Sequence, residues 1–146
     1  MKVILQRSLE SSVKVDKKVI GSIDKGLVLL VGFTEGDNEQ SIDYIVKKIV
    51  NLRIFDDENG NMNKSILDTQ GQILSISQFT LYANTKKGNR PSYEKALNYD
   101  KASKLYQMFN QKLSEHIKVS TGIFGAEMLV SIQNDGPVTI VLESRK

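Results

Sequence analysis

The side chains that most often drive enzymatic reactions are almost absent from this sequence. It contains no cysteine, and His116 is its only histidine. This histidine stands near the end of a helical pattern, between Glu115 and Lys118, as is typical of a surface residue. The composition therefore disfavours a Ser-His-Asp triad, a Cys-His pair and an ordinary zinc site.

Other familiar motifs are also missing or weak. The sequence has neither a P-loop nor a G-x-G-x-x-G motif. Its acidic run Asp56-Asp57-Glu58 offers the ligands of a hard-cation site, but an acidic turn is the simpler interpretation. An enzyme with this sequence would rely on hydroxyl groups, backbone amides and groups that the substrate brings.

One polar cluster, Ser77-Gln78-Phe79-Thr80, stands at the end of a predicted strand, QILSISQFTLYA (72–83). Both faces of this strand change from apolar to polar near its end, and buried polar groups need partners. At a strand end, backbone N–H groups leave the ladder and can donate to an oxyanion. The pattern alone favours the simpler interpretation, which is a strand that continues into a polar loop with Thr80 starting a turn.

A second cluster, NDGPVT (134–139), contains one of only two prolines. A trans Pro137 that opens an edge strand is the simpler interpretation, because cis forms are only about 5–6% of X–Pro bonds in folded proteins. A cis bond between Gly136 and Pro137 can instead bring two carbonyl oxygens to the same side. Such a pair of acceptors suits an ammonium group, which carries several donors. The sequence leaves the isomer open.

Positive charge is densest in the loop TKKGNRPS, at Lys86, Lys87 and Arg90. The net charge of the chain is only +3. Contact with phosphate groups is one interpretation of this loop, and a solvated loop is the simpler one.

The elements that must position these clusters follow from hydrophobic periodicity and turn residues. An almost continuously apolar stretch, 26–34, predicts a central strand covered on both faces. A helix is predicted over 39–52, capped by Asp37 or Asn38, and a second over 99–116. The remaining predicted elements are a strand at 3–8, a hairpin at 13–23 turning near Asp16-Lys17, a short strand at 53–55, a turn at 57–60 and two closing strands, EMLVSIQND and PVTIVLES.

These elements predict a mixed α/β fold in a single domain, 1–146. We expect a curved, mostly antiparallel sheet or partial barrel, with meander-like strand pairs and two main helices on one side. A homodimer would protect the edge of a closing strand. No apolar run approaches the ~20 residues of a membrane span, and the first residues lack the pattern of a signal peptide. With no cysteine present, a cytoplasmic location is the default expectation.

In order along nearly the whole chain, six segments resemble the D-aminoacyl-tRNA deacylase family. The pair SQFTL and NDGPVT, at this separation, is the specific signal, since either motif alone is weak. The other four segments are VILQRS, NLRIFDDENGNMN, KKGNRPSY and TGIFGAEM.

The resemblance implies a cytoplasmic homodimer that needs no metal or organic cofactor. It implies hydrolysis of the ester that joins a D-amino acid to the 3′ end of tRNA, and removal of glycine from mischarged tRNA. The family's SQxTL motif corresponds to Ser77, Gln78, Thr80 and Leu81. The expected catalytic residues are Ser77, Gln78, Phe79 and Thr80. The family's Gly-cisPro motif corresponds to the dipeptide 136–137. In the family this dipeptide crosses the dimer interface and lines the partner's pocket. There its two carbonyls hold the α-ammonium of the substrate, and the proline rejects an L side chain.

Further roles are implied with less specific motifs. Phe79 is expected near the terminal adenosine, and Arg7 is expected to brace the Gly-Pro segment, although a surface arginine is its simpler interpretation. The basic loop at Lys86, Lys87 and Arg90 has less arginine than is usual in the family, which bears on tRNA affinity alone. The expected border of the adenine pocket is Phe124, Gly125, Ala126 and Met128.

Two mechanisms remain open. Thr80 attacks the ester as a nucleophile, or the terminal ribose 2′-hydroxyl assists water while N–H groups around Gln78-Phe79 stabilise the oxyanion. The second is favoured because the sequence offers no histidine base near a hydroxyl. Two rival functions also remain: a Thr80-nucleophile esterase or amidase on another substrate, and a non-catalytic RNA-binding module.

Overall fold

The computed structural model describes residues 1–144, which form ten strands, three α-helices and one 3₁₀ turn at Phe79–Tyr82. The helices are α1 (Glu39–Asn51), α2 (Ile66–Thr69) and α3 (Tyr99–Ser114). The strands are β1 (Lys2–Ser8), β2 (Ser11–Val15), β3 (Lys18–Ile23), β4 (Gly26–Gly32), β5 (Phe55–Asp56), β6 (Met62–Lys64), β7 (Gln72–Ser77), β8 (Val119–Thr121), β9 (Leu129–Ser131) and β10 (Asn134–Glu143).

A five-stranded sheet in the order β10-β1-β4-β7-β8 organises the fold. β1 is antiparallel to β10 and to β4, whereas β4, β7 and β8 run parallel. A second sheet, β3-β2-β9, is antiparallel, as is the short pair β5-β6. The mixed α/β class and the predominance of antiparallel pairing are confirmed, and the sheets do not close into a barrel among the residues described.

The central strand β4 is covered on both faces, as its apolar sequence predicts. Leu27, Leu29 and Val31 belong to the core shared with α1 and α3. Val28 points to the opposite core, which lies beneath the second sheet. The molecule therefore has three layers, with the two main helices on one face of the large sheet.

The strand predicted over 72–83 is too long at its C-terminal end. β7 stops at Ser77, and the chain turns into the 3₁₀ segment. The reason is its neighbour, because the Gln78 N–H still donates to the Val31 carbonyl at 2.7 Å, but β4 ends one residue later at Gly32. Without a continuing partner strand, the next amides cannot extend the ladder.

The closing strands do not form the expected meander pair. β9 pairs with β2 in the second sheet, whereas β10 pairs with β1 in the first. The Asn-Asp-Gly sequence is also part of β10 and not a separate turn. A register shift between Gln6 and Ser8 accommodates the extra residues of β10.

Smaller expectations have mixed outcomes. The hairpin turns at Asp16-Lys17, where both residues have positive φ, as predicted. The second helix ends at Ser114, so His116 lies beyond it and is exposed. Within residues 1–144, no helix combines the length and the apolar character that a bilayer span requires.

Asn38 is the residue that caps α1. Its side-chain oxygen accepts the Ser41 N–H at 3.1 Å, and the Ser41 hydroxyl accepts the Asn38 N–H at 3.2 Å. Asp37, the alternative cap, is buried and instead pairs with the α-ammonium of Met1. The helix start is therefore fixed by a reciprocal capping box.

We expect Asn38→Ala to lower the free energy of unfolding by about 1 kcal/mol, because one N–H of the first turn loses its acceptor. Asn38→Ser keeps an acceptor and should stay within about 0.5 kcal/mol of the parent. Urea denaturation of the three proteins measures both values. Equal losses in the two variants would contradict a capping role.

Candidate active site

A cavity of about 490 Å³ opens where β4 and β7 end. Ser77, Gln78 and Phe79 line it at the end of β7, and Phe124, Gly125, Ala126 and Met128 line it between β8 and β9. The structure thus brings together seven of the residues that the sequence nominated. The lining consists of Val31, Gly32, Phe33, Ile76, Ser77, Gln78, Phe79, Leu97, Tyr99, Ala102, Phe124, Gly125, Ala126, Met128 and Val130.

The turn after β7 presents two backbone donors. The Gln78 N–H is engaged by Val31, and the Gln78 carbonyl accepts the Leu81 N–H at 3.3 Å. Phe79 and Thr80 occupy the first 3₁₀ positions, whose N–H groups have no partner within the helix. In the described chain, no other backbone acceptor takes them. Two adjacent amides are thus free to donate to an oxyanion.

The Thr80 hydroxyl has an amide neighbour and no base. The Gln78 side-chain NH₂ donates to Thr80 Oγ1. No carboxylate or imidazole within residues 1–144 is hydrogen bonded to this hydroxyl. Because an amide cannot accept a proton at neutral pH, this contact orients the hydroxyl and does not activate it.

Gly32 is a site residue that the sequence analysis missed. A Cβ at this position would lie 2.9 Å from the Gln78 carbonyl oxygen and 3.2 Å from Leu81 Cβ. The absence of a side chain therefore lets the turn after β7 pack directly on the end of β4. A glycine inside an apolar strand pattern was the available signal, since it often marks a close backbone approach.

An aromatic group forms the opposite wall. The ring centroid of Phe124 lies 5.0 Å from that of Tyr99 and 5.6 Å from that of Tyr106. The buried Tyr106 hydroxyl donates to the Ser75 carbonyl at 2.7 Å, and burial raises the pKa of Tyr106. This phenol therefore stays neutral and holds the wall against β7. Tyr99 was also missed, because it starts a helix on an exposed turn and carries no motif.

Gly136 and Pro137 lie outside this cavity in the same chain. Both are exposed on β10, and the peptide bond between them is cis. Gly136 has a φ of +117°, and a Cβ there would lie 2.9 Å from the Val138 nitrogen. Only glycine fits this backbone conformation without strain.

Arg7 is largely buried beside the Gly-Pro segment. Its Nη1 donates to the Ile54 carbonyl at 2.9 Å. Its Nε lies 3.2 Å from an Asp135 carboxylate oxygen, in an ion pair that is not aligned as a hydrogen bond. A second ion pair joins Nη1 to Asp56 at 3.6 Å. The guanidinium therefore links Asp135, which precedes Gly136, to Ile54 in the loop before β5.

Asn134 fastens the same segment from its other end. Its Nδ2 donates to the carbonyls of Arg7 and Val138, both at 3.0 Å. Its Oδ1 accepts from Gln6 at 3.1 Å and from Thr139 at 3.0 Å. One amide thus bridges both flanks of residues 135–137.

The basic loop stands apart from both features. Every residue from 85 to 95 is exposed. Backbone bonds between Asn84 and Ser92 close the loop at its base, and Thr34 Oγ1 anchors it through the Lys95 carbonyl at 2.6 Å. Lys86 borders a separate cavity of about 370 Å³ near Met1.

No group of three or more His, Asp or Glu side chains within residues 1–144 is arranged to hold a metal ion.

Comparison of the chain with known proteins identifies its family. Residues 4–143 match the model of the D-Tyr-tRNA(Tyr) deacylase family. A solved structure named c-Myc DNA unwinding element binding protein has 41% identity and a TM-score of 0.94, with 100% of each chain covered. A probable eukaryotic D-amino acid tRNA deacylase has 17% identity and a TM-score of 0.83, with 97% of this chain and 98% of that chain covered, and it supports the fold alone. The chain belongs to the D-Tyr-tRNA(Tyr) deacylase family, and it is accordingly a hydrolase that acts on the ester bond of aminoacyl-tRNA.

Proposed function

We propose that this chain is a chiral proofreading enzyme that removes D-amino acids and glycine from tRNA and spares L-aminoacyl-tRNA. It does so in the cytoplasm as a homodimer. The observation that carries the proposal is the turn at the edge of the cavity after β7, where two free amides lie beside a hydroxyl that has no base. That combination suits a substrate which supplies part of its own chemistry.

The reaction is the hydrolysis of a carboxylic ester. Water attacks the ester carbon, and negative charge develops on the carbonyl oxygen. The N–H groups of Phe79 and Thr80 are placed to donate to that oxygen. The bond to the ribose 3′-oxygen then breaks, and this oxygen takes up the proton that the attacking water releases. The neighbouring 2′-hydroxyl of the substrate orients the water, because the cavity offers no imidazole.

The terminal adenosine is proposed to lie against the aromatic wall. Phe124, Gly125, Ala126 and Met128 border the cavity opposite Phe79. The lining is mostly apolar, with few polar groups, which is the usual character of a small-ligand site. An adenine ring in this position would place its ribose near the turn after β7.

Selectivity is proposed to come from the partner subunit. The segment 136–137 is exposed, and Arg7 and Asn134 hold its flanks. Its carbonyls would accept the α-ammonium of the substrate in the partner's cavity. With ammonium and ester carbon both fixed, an L side chain would collide with the segment, whereas a D side chain would point outwards. Glycine has no side chain to reject.

The exposed outer edge of β10 supports this assembly. β10 pairs with β1 on one side, and no strand of residues 1–144 pairs with its other side. Val141 on this strand is 57% exposed. Open, apolar strand edges are usually covered in stable proteins, and a second copy of the chain would cover this one.

The direct test compares deacylation of D-Tyr-tRNA, Gly-tRNA and L-Tyr-tRNA, each with and without a chelator. We expect hydrolysis of the first two, and a rate on L-Tyr-tRNA that is at least ~10²-fold lower because of the steric clash. The chelator should change nothing. Binding of D-Tyr-tRNA without hydrolysis would favour an RNA-binding module, and hydrolysis of small esters alone would favour another esterase.

The two mechanisms are separated by Thr80 variants and a modified substrate. We expect Thr80→Ala to retain deacylation within about tenfold, because no base activates this hydroxyl. A D-aminoacyl-tRNA that ends in 2′-deoxyadenosine should react roughly 10²–10⁴-fold more slowly. Thr80→Ser is the matched control. A dead Thr80→Ala with a normal 2′-deoxy substrate would establish Thr80 as the nucleophile.

The cross-subunit arrangement is tested by mixing two inactive variants. Gly32→Val displaces the Gln78 carbonyl in the cavity, and Gly136→Val distorts the Gly-Pro segment. Neither homodimer should deacylate D-Tyr-tRNA. In a co-expressed mixture, the heterodimer combines an intact cavity on one chain with an intact segment on the other, so about one quarter of the parental activity should return.

The control for this experiment is the same two variants purified separately and mixed immediately before the assay, when subunits have not exchanged. Activity that stays absent after co-expression, with heterodimers present, would place both features in the site of one chain.

A further inference from the structure

An exposed aromatic pair stands at the edge of the cavity. Phe79 is 57% exposed and Tyr93 is 42% exposed. Their ring centroids are 5.1 Å apart, with the ring planes at 70°. Phe79 lines the cavity, whereas Tyr93 extends the aromatic surface away from it along the basic loop. Two large rings left open to water beside a binding cavity are typical of a recognition surface.

Unpaired cations adjoin these rings. Lys86, Lys87 and Arg90 have no carboxylate within ion-pair distance among the described residues. The backbone bonds between Asn84 and Ser92 bring the base of this loop together. The three cations and Tyr93 therefore lie close to the Asn84–Ser92 bonds that close this loop. Rings and unneutralised cations in one loop match the two components of a nucleic acid, its bases and its phosphates.

We propose that Tyr93 and Phe79, with Lys86, Lys87 and Arg90, form a binding site for the unpaired nucleotides that precede the terminal adenosine of tRNA. A base of this single strand stacks on Tyr93, and the lysines and arginine contact its phosphates. This inference rests on the proposed function and adds a second recognition site to it.

The chemistry favours a single strand over a duplex. Paired bases are already stacked within a helix, whereas unpaired bases are free to stack on aromatic side chains. Stacking tolerates any base, because every base has a π-face. Such a site reads a feature that all tRNAs share, so it supplies affinity without restricting the enzyme to one tRNA.

The test compares two substrates, D-Tyr-tRNA and 3′-O-(D-tyrosyl)adenosine, which lacks the preceding nucleotides. Tyr93→Ala should lower kcat/KM on D-Tyr-tRNA by roughly 5- to 150-fold, through KM, which is the range for loss of one stacked base. On tyrosyl-adenosine the change should be under about twofold, because no base occupies Tyr93 there. Tyr93→Phe keeps the ring and should behave as the parent.

The salt dependence of tRNA affinity tests the role of the lysines in this loop. Lys86→Gln combined with Lys87→Gln should reduce the slope of log affinity against log salt by about 1.4 for D-Tyr-tRNA, since each phosphate contact to a single strand contributes ~0.7. Lys17→Gln with Lys18→Gln removes the same charge from the exposed β2–β3 turn and should leave the slope unchanged.

Several results would overturn the inference. Equal losses on both substrates would make Tyr93 a support for Phe79 within the adenosine site, and no loss on either would remove Tyr93 from binding. A dimer that dissociates in Tyr93→Ala would assign the rings to the subunit interface. If the parent hydrolyses neither substrate, the proposed function fails. Binding of a short RNA with the acceptor-end sequence, measured by fluorescence anisotropy, then decides the inference. The inference is overturned if Tyr93→Ala binds this RNA as tightly as the parent.

Discussion

The parallel pairing of β4 with β7 is the constraint on which the site depends. The pair runs in register until the Gln78 N–H meets the Val31 carbonyl, and β4 then ends at Gly32. Because the ladder stops there, the following amides lose their expected acceptors and the chain closes into a 3₁₀ turn. Gly32 permits this turn to lie directly on the strand end. The free donors are thus a consequence of where one strand finishes.

In the proposed mechanism, the same constraint is what lets hydrolysis proceed without a side-chain base. Fixed donors stabilise charge that develops during the reaction, and they cost no reorganisation when it occurs. Activating a side-chain nucleophile would require a neighbouring base, whereas orienting water next to a substrate hydroxyl does not. The hydrogen bond from Gln78 to Thr80 is consistent with such a mechanism, since it positions the hydroxyl without removing its proton.

Local patterns predicted much of this molecule, and long-range pairing accounts for what they missed. The apolar stretch at 26–34 was correctly read as a central strand because burial on both faces leaves a continuous signature. The end of β7 was misplaced because it depends on the length of β4, which lies more than forty residues earlier. The separation of β9 from β10 was missed for the same reason, since each strand pairs with a distant partner. Among the residues of the candidate site, motifs nominated Ser77 to Thr80, whereas Gly32 and Tyr99 belong to no motif and are brought there by the fold.

The Gly-Pro segment is the part of the proposed site that would depend on assembly of two subunits. Residues 136–137 are held by Arg7 and Asn134, which use the buried end of β1 and the loop before β5 as supports. The segment itself lies on β10, the edge strand of the large sheet, and within one chain it lies outside the cavity next to the free amides. In the proposed homodimer, the exposed segment would face the cavity of the partner subunit. Rejecting one handedness needs a wall that does not yield, and a wall supplied by a second subunit can be stiff without closing the entrance through which the tRNA end must pass.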